Sequence, residues 1–349
     1  MKKHSLKPYL AAIEQKLSNR AAARLLNLPK TTARRRLRKI KATGNLDHGN
    51  KGKQNRKPNP DKARILTAAA KYEGFGISHA CELLESRDGI SVNRETLRRW
   101  LARSESRKTS KQRQRREPRA NFGELLQIDG SFERWFGAEK TCLMHIVDDA
   151  TNTAEMHFDD QETIVSACNA AWRWITAYGV PQSFYADGRN MYHLIAGGEA
   201  NFFTNMCDNL GIRVIPAHSP QAKGRVERWN GIQQRRLIPL MKLDGVNDMA
   251  DANKYLEKYV VEHNKRFAKR AREGDAHRLL PEWAKDIDDV SFIVIERQLN
   301  NDWTFSYKGE KIQLPPQSVY PPAKSKIQVK ITISGKITAY YRGAIFNVR

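Results

Sequence analysis

Cysteine is scarce. The 349 residues hold four, Cys81, Cys142, Cys168 and Cys207. They lie far apart with no C-x-x-C pair, which excludes a disulfide framework and zinc-finger spacing and fits a reducing compartment. No apolar run is long enough to span a bilayer, and the basic start Met1–Lys7 leads into no apolar signal core. The expected location is therefore the cell interior, cytoplasmic and associated with the nucleoid. Acid is what the first third lacks. Residues 1–120 carry 32 Lys and Arg against 10 Asp and Glu, an excess of 22, whereas the remainder carries 29 against 28. The formal charge of +23 thus belongs to one end of the chain. A field so concentrated is the footprint of a nucleic-acid partner. The basic stretches show no amphipathic helix with a broad apolar face, so no membrane partner is expected.

What is present begins with helices. Residues 1–47 read as a helix-turn-helix module. Ser18 is placed as an N-cap, Ala21, Ala22, Leu25 and Leu26 as an inner face, and Asn27 as a turn residue that tolerates the left-handed conformation. A second helix over Thr32–Lys41 would enter the major groove. Its candidate DNA contacts, with the turn residue Lys30, are Arg34, Arg35, Arg36 and Arg38. Residues 48–60, rich in Gly, Asn, Lys and Pro, read as a basic linker. Residues 61–103 repeat the logic, with Ser91 capping a helix that turns Leu97, Trp100 and Leu101 inward and Arg94, Arg98 and Arg99 outward. Residues 104–120 form a second basic linker.

From residue 121 the pattern is α/β. Leu125-Leu126-Gln127-Ile128-Asp129-Gly130-Ser131 and Ser183-Phe184-Tyr185-Ala186-Asp187-Gly188 each read as a strand ending in an aspartate at a turn. Ligands of open α/β sheets sit outside such strand ends. A third acid, Glu227, lies in His218-Ser219-Pro220-Gln221-Ala222-Lys223-Gly224-Arg225-Val226-Glu227-Arg228-Trp229-Asn230-Gly231. The spacing there predicts a turn leading into a helix over about Val226–Met241, with Glu227 in its first turn, where the helix dipole favours a carboxylate. Lys223, Arg225 and Arg228 surround that acid. Three carboxylates from two strand ends and one helix suit two magnesium ions, which prefer oxygen ligands. Asp148 and Asp149 are read as turn-shaping acids, Trp172, Trp174 and Trp229 as packing residues, and His218 as a turn residue or phosphate contact. Residues 291–349 alternate in short runs and predict a small β-barrel, joined to the core by a connecting segment over residues 271–290.

The Asp, Asp, Glu arrangement resembles the catalytic core of DDE transposases and retroviral-type integrases, and more closely insertion-sequence transposases of the ISNCY-like kind. The likeness also rests on Leu143-Met144-His145-Ile146-Val147-Asp148-Asp149-Ala150-Thr151, Ala252-Asn253 and His263-Asn264-Lys265-Arg266-Phe267. It implies a ribonuclease H-like mixed-sheet core over residues 121–270, in a multidomain α/β plus helical chain. It also implies catalytic and metal-binding roles for Asp129, Asp187 and Glu227, and two Mg2+ ions replaceable by Mn2+. No covalent nucleophile is implied. The expected activity is two-metal hydrolysis at transposon ends, followed by transfer of the freed 3′-hydroxyl into target DNA. The expected partners are double-stranded DNA, both ends and target, and further copies of the chain. Two other classes fit parts of the sequence: a DNA-binding regulator over an inert core, and a ribonuclease H-type nuclease acting on hybrids. Intact acids at all three positions speak against the first, and the two helical modules against the second.

Overall fold

The structure is a computed structural model. It describes residues 7–44, 59–101, 117–187, 201–217, 220–316 and 320–348, without the side chains of Asp187, Ala217 and residues 220–227. Two compact units divide the chain, Met1–Thr67 and Ala68–Arg349.

In the first unit, α1 (Lys7–Glu14), α2 (Asn19–Leu25) and α3 (Lys30–Thr43) close around Tyr9, Ala12, Ala22, Leu37 and Ile40. Ser18 caps α2 by accepting the Ala21 N–H at 3.3 Å. Asn27 makes the turn with φ of 49°. Two details differ from expectation. Leu25 is exposed and Ala23 is buried in its place, because the inner stripe of so short a helix is chosen by the neighbouring α1 and α3. Helix α3 begins at Lys30, where Pro29, lacking an N–H to satisfy, serves as its N-cap residue.

Helix α4 (Lys62–Ala70) leads into the second unit, which opens with α5 (Ile77–Asp88) and α6 (Arg94–Trp100). Asn93, not Ser91, caps α6, accepting the Glu95 N–H at 2.9 Å. Next come β1 (Leu126–Glu133), β2 (Thr141–Asp148), β3 (Ala154–Asp159), α7 (Ile164–Tyr178), β4 (Ser183–Asp187), α8 (Phe202–Asn209), β5 (Arg213–Ala217), α9 (Pro220–Leu243) and α10 (Met249–Phe267). The five strands form one mixed sheet in the order β3-β2-β1-β4-β5. The first three are antiparallel, and β1, β4 and β5 are parallel. Its core packs α7 and α8 against Leu126, Ile128, Met144, Ile146 and Phe184.

The outer edge of β3 would be a template for stray strand pairing. Helix α10 covers it with two side-chain amides that imitate a neighbouring strand. Asn253 accepts the Phe158 N–H at 2.8 Å and donates to the Phe158 carbonyl at 3.1 Å. Asn264 does the same for Ala154, at 2.8 Å in both directions. Asp148 and Asp149 shape turns, as expected. Asp148 accepts the N–H groups of Gly123 and Thr151 at 2.9 and 2.7 Å, and Asp149 that of Arg119 at 2.8 Å.

Beyond α11 (Ile287–Val290) the chain forms β6 (Phe292–Gln298), β7 (Thr304–Tyr307), β8 (Glu310–Gln313), β9 (Lys326–Thr332), β10 (Ile337–Tyr341) and β11 (Ala344–Asn347). The expected barrel is not closed among the described residues. A four-stranded sheet, β11-β10-β9-β6, packs over Phe305, Leu314, Val329 and Phe346, while β7 and β8 pair only with each other. Alternation identifies strands but not partners, and here the β7–β8 hairpin covers the sheet's core without joining its ladder. Among the described residues no helix is long and apolar enough to cross a membrane.

Two buried histidines link this packing to pH. Burial, reinforced by Arg236, Arg266 and Arg87, pushes His79 down to about 3. Burial and Arg236 push His263 down to about 4. The unfolded chain takes up these protons below about 6.5, while the folded chain refuses them until far lower pH. Stability therefore falls as pH drops from about 6.5 towards 4, by at most about 1.4 kcal/mol per pH unit for each histidine. Urea denaturation between pH 7 and 5 should show this loss, and His79→Leu should make the dependence shallower.

Candidate active site

Asp129 lies inside β1 rather than at its end. The strand continues because its other edge stays paired with β2 as far as Glu133↔Thr141, and Asp129 itself faces His145 across that pair. Gly130 permits the passage. A Cβ there would stand 2.9 Å from both the Cys142 sulfur and the Glu162 carboxyl carbon. On the opposite side β1 pairs in parallel with β4, Leu126 with Phe184 and Gln127 with Tyr185. The same offset relates Asp129 to Asp187, the last residue of β4. The two aspartates therefore occupy level positions on neighbouring parallel strands, and level positions share a face of the sheet. Asp187 is paired on its far side with Ala217 of β5.

The third acid arrives on α9. That helix starts at Pro220, earlier than the spacing predicts, because proline is well suited to a first helical position. Glu227 is therefore two turns inside the helix, and no acid occupies the first turn. The dipole argument for Glu227 does not apply; its neighbours must account for its place. Asn230 donates to Asp129 Oδ2 at 3.1 Å, and Gln234 to Ser131 Oγ at 3.2 Å. Positions 227, 230 and 234 follow the i, i+3, i+7 spacing of one helix face. The face that meets β1 at Asp129 and Ser131 is thus the face that carries position 227.

Beside that face, α9 is held by further contacts within its unit. Trp229 stacks on His145, and Gln233 accepts the Tyr259 hydroxyl at 2.7 Å. Arg236 lies over the Phe267 ring at 4.8 Å and donates to Glu82 of α5, which also meets Arg266 at 3.4 Å. Just past the end of α9, Asp244 accepts both ends of the Arg87 guanidinium at 2.6 and 2.7 Å and the Tyr255 hydroxyl at 2.7 Å. Arg87 holds the Asp244 carboxyl below its usual range. Helix α5, expected in a separate reading module, is thereby tied to α9 and α10.

Of the expected site residues, Asp129 is half-buried and bonded to Asn230. The side chains of Asp187, Glu227, Lys223 and Arg225, and all of His218, lie outside the described residues. Arg228 is exposed on α9. In the amino-terminal unit Lys30, Arg34, Arg35 and Arg38 are exposed, whereas Arg36 turns back to donate to the Tyr9 hydroxyl at 2.7 Å. Arg98 and Arg99 both bond Glu95, at 2.8 and 3.0 Å, and Arg94 shares their helix. Among the described residues no three His, Cys, Asp or Glu side chains gather to hold a metal ion. The donor chemistry at Asp129 nonetheless fits a hard cation. Its carboxylate accepts from the Asn230 amide, whose buried Oδ1 has no partner among the described residues. Sequence reading missed Asn230, His145, Asn253 and Asn264 as functional neighbours. All four stand in the quoted motifs, but nothing local says what they touch.

No family model matches the chain. It is 33% identical over 326 residues to the transposase y4bF of Sinorhizobium fredii, covering 88% of this chain and 71% of that protein. It is 28% identical over 274 residues to the transposase for insertion sequence IS1202 of Streptococcus pneumoniae, covering 64% of this chain and 59% of that one. The chain belongs to the transposase family. Among solved structures, the HTLV-2 integrase catalytic core in complex with magnesium matches 42% of this chain and 90% of its own, with 19% identity and a TM-score of 0.34. A chain of the simian T-cell lymphotropic virus intasome in complex with a PP2A regulatory subunit matches 82% and 95%, with 16% identity and a TM-score of 0.38. Membership of the family rests on the sequence relation.

The grip of α5 on α9 is testable. Glu82 and Arg236 are each less than a fifth exposed, so removing one leaves a nearly buried charge uncompensated. Glu82→Ala should cost about 2–4 kcal/mol in chemical denaturation. Adding Arg236→Met should recover part of that loss.

Proposed function

We propose that this transposase binds the ends of its element, frees a 3′-hydroxyl there by hydrolysis, and joins that hydroxyl to target DNA by transesterification. Asp129, Asp187 and Glu227 are the catalytic carboxylates. The observation that carries this reading is the shared level of Asp129 and Asp187 on β1 and β4, with α9 fixed against Asp129 through Asn230. Two divalent ions, Mg2+ or Mn2+ in its place, would supply an activated water and a clamp on the attacking and leaving oxygens.

The chain's own residues prepare the site. Positions 129 and 187 share one sheet face, and position 227 lies on the helix that meets it. Asn230 orients the Asp129 carboxylate by holding one of its oxygens. The half-buried setting of Asp129 limits competing water around the reacting phosphate.

DNA is bound by the basic amino-terminal region. Lys30, Arg34, Arg35 and Arg38 present charge along the first turns of α3 and act as the second helix of a helix-turn-helix; Arg36 braces that helix through Tyr9. Arg94, Arg98 and Arg99 on α6, and Lys223, Arg225 and Arg228 beside Glu227, contact the DNA end. The carboxyl-terminal sheet holds DNA or a second protomer. Joining two ends requires a homo-oligomer assembled on DNA, inside the cell and on its nucleoid.

Asp129→Asn, Asp187→Asn and Glu227→Gln should each lower strand transfer by roughly 10³-fold or more while end binding in a gel-shift assay persists. Retention of transfer in any one of them contradicts its assignment. A chain that binds ends but never processes them, with all three acids intact, would instead be a DNA-binding regulator.

A further inference from the structure

Helix α9 meets the sheet through two adjacent residues that point different ways, since successive residues are turned by about 100°. Asn230 reaches Asp129 directly. Trp229 lies flat on His145, with ring centroids 4.2 Å apart and planes within 18°. His145 is fully buried and is the cross-strand partner of Asp129. The stack therefore rests on the strand position beside the acid, and one turn of helix anchors both members of the Asp129–His145 pair.

The chemistry of the stack is unusual for ordinary core packing. Trp229 Nε1 and His145 Nε2 are both buried without a hydrogen-bond partner among the described residues. His263, whose ring stands edge-on to Trp229 at 6.3 Å, leaves its Nδ1 in the same condition. Each such group loses its hydration without a compensating hydrogen bond, a cost that leucine or phenylalanine would avoid. What the pair provides instead is two broad flat surfaces in contact. A stacked pair resists tilting and rotation of the helix, whereas branched aliphatic side chains adapt to small shifts.

We propose that Trp229 is a positioning residue and His145 its platform. Their stack fixes the height and rotation of α9 over β1, so that positions 227 and 230 stay in register with Asp129. The inference rests on the reading of Asp129 and Glu227 as metal-holding acids and adds what sets their spacing. Loosening the stack should weaken cation binding more than DNA binding, because most of the proposed DNA contacts lie on α3 and α6.

The test uses the full chain and Mn2+ alone, with binding followed by the relaxation rate of water protons. Trp229→Phe keeps a flat ring of smaller area, and Trp229→Leu removes the flat surface. Leucine should raise the half-saturating Mn2+ concentration on the order of ten-fold, the range seen when groups supporting metal ligands are lost. Phenylalanine, with its smaller ring, should recover only part of the affinity, leaving a shift of about three-fold, and DNA-end affinity should change less than Mn2+ affinity in both. A purely structural role predicts lower melting temperatures with wild-type Mn2+ affinity in both variants, and that result overturns the proposal. If Trp229→Leu gives no folded protein, Trp229→Phe decides: a shift of about three-fold or more supports the proposal, and an unchanged value overturns it. Asp129→Asn separates the two levels. If it binds Mn2+ like the wild type, the metal assignment fails; if it alone loses Mn2+, that assignment stands and the role of Trp229 falls.

Discussion

Strand β1 is paired on both edges, and the site takes its geometry from that double pairing. To one side lies β2, antiparallel, which carries β1 straight through Asp129 and sets His145 opposite it. To the other lies β4, parallel, which brings Asp187 to the level of Asp129. A one-residue slip in either ladder would move an acid to the opposite sheet face. The apolar residues that alternate with the site, Leu126 and Ile128 on β1 and Phe184 on β4, are buried almost completely in the core. Their burial sets the register, and the register sets the chemistry.

Helix α9 then has to be held against that strand along its length. Asn230 and Gln234 bond β1, Trp229 stacks on β2, and Gln233 and Arg236 engage α10. Glu82 and Arg87 of α5 reach Arg236 and Asp244. A long helix with glycine at 224 and 231 and proline at 239 has weak intrinsic propensity. These tertiary contacts stabilise it, and they couple the helical region before the core to the helix that bears Glu227.

Much of this was legible because it is local. Ser18 and Asn27 announced a cap and a turn, and the strands carrying Asp129 and Asp187 followed from apolar runs ending in Asp-Gly. Asp129, Asp187 and Glu227 read as acids at two strand ends and on one helix, and their catalytic roles rest on motif resemblance and remain the proposal. The rest depends on contacts between residues far apart in sequence. Asn253 and Asn264 imitate a strand for partners about a hundred residues away, and no periodicity encodes that. The Asp-Gly at 129–130 reads as a turn until β2 is known to pair beyond it. The carboxyl-terminal strands were visible as alternation, but whether they close depends on pairing that alternation does not specify. Helix α9 opens at Pro220 rather than near Val226, which moves Glu227 away from the first turn.

The central claim is that three acids from β1, β4 and α9 meet around divalent cations. Crystals of the chain soaked in Mn2+ test this most directly, through anomalous scattering. The account predicts peaks bounded by the carboxylates of Asp129, Asp187 and Glu227. Manganese bound elsewhere, with Glu227 directed away from both aspartates, would contradict it.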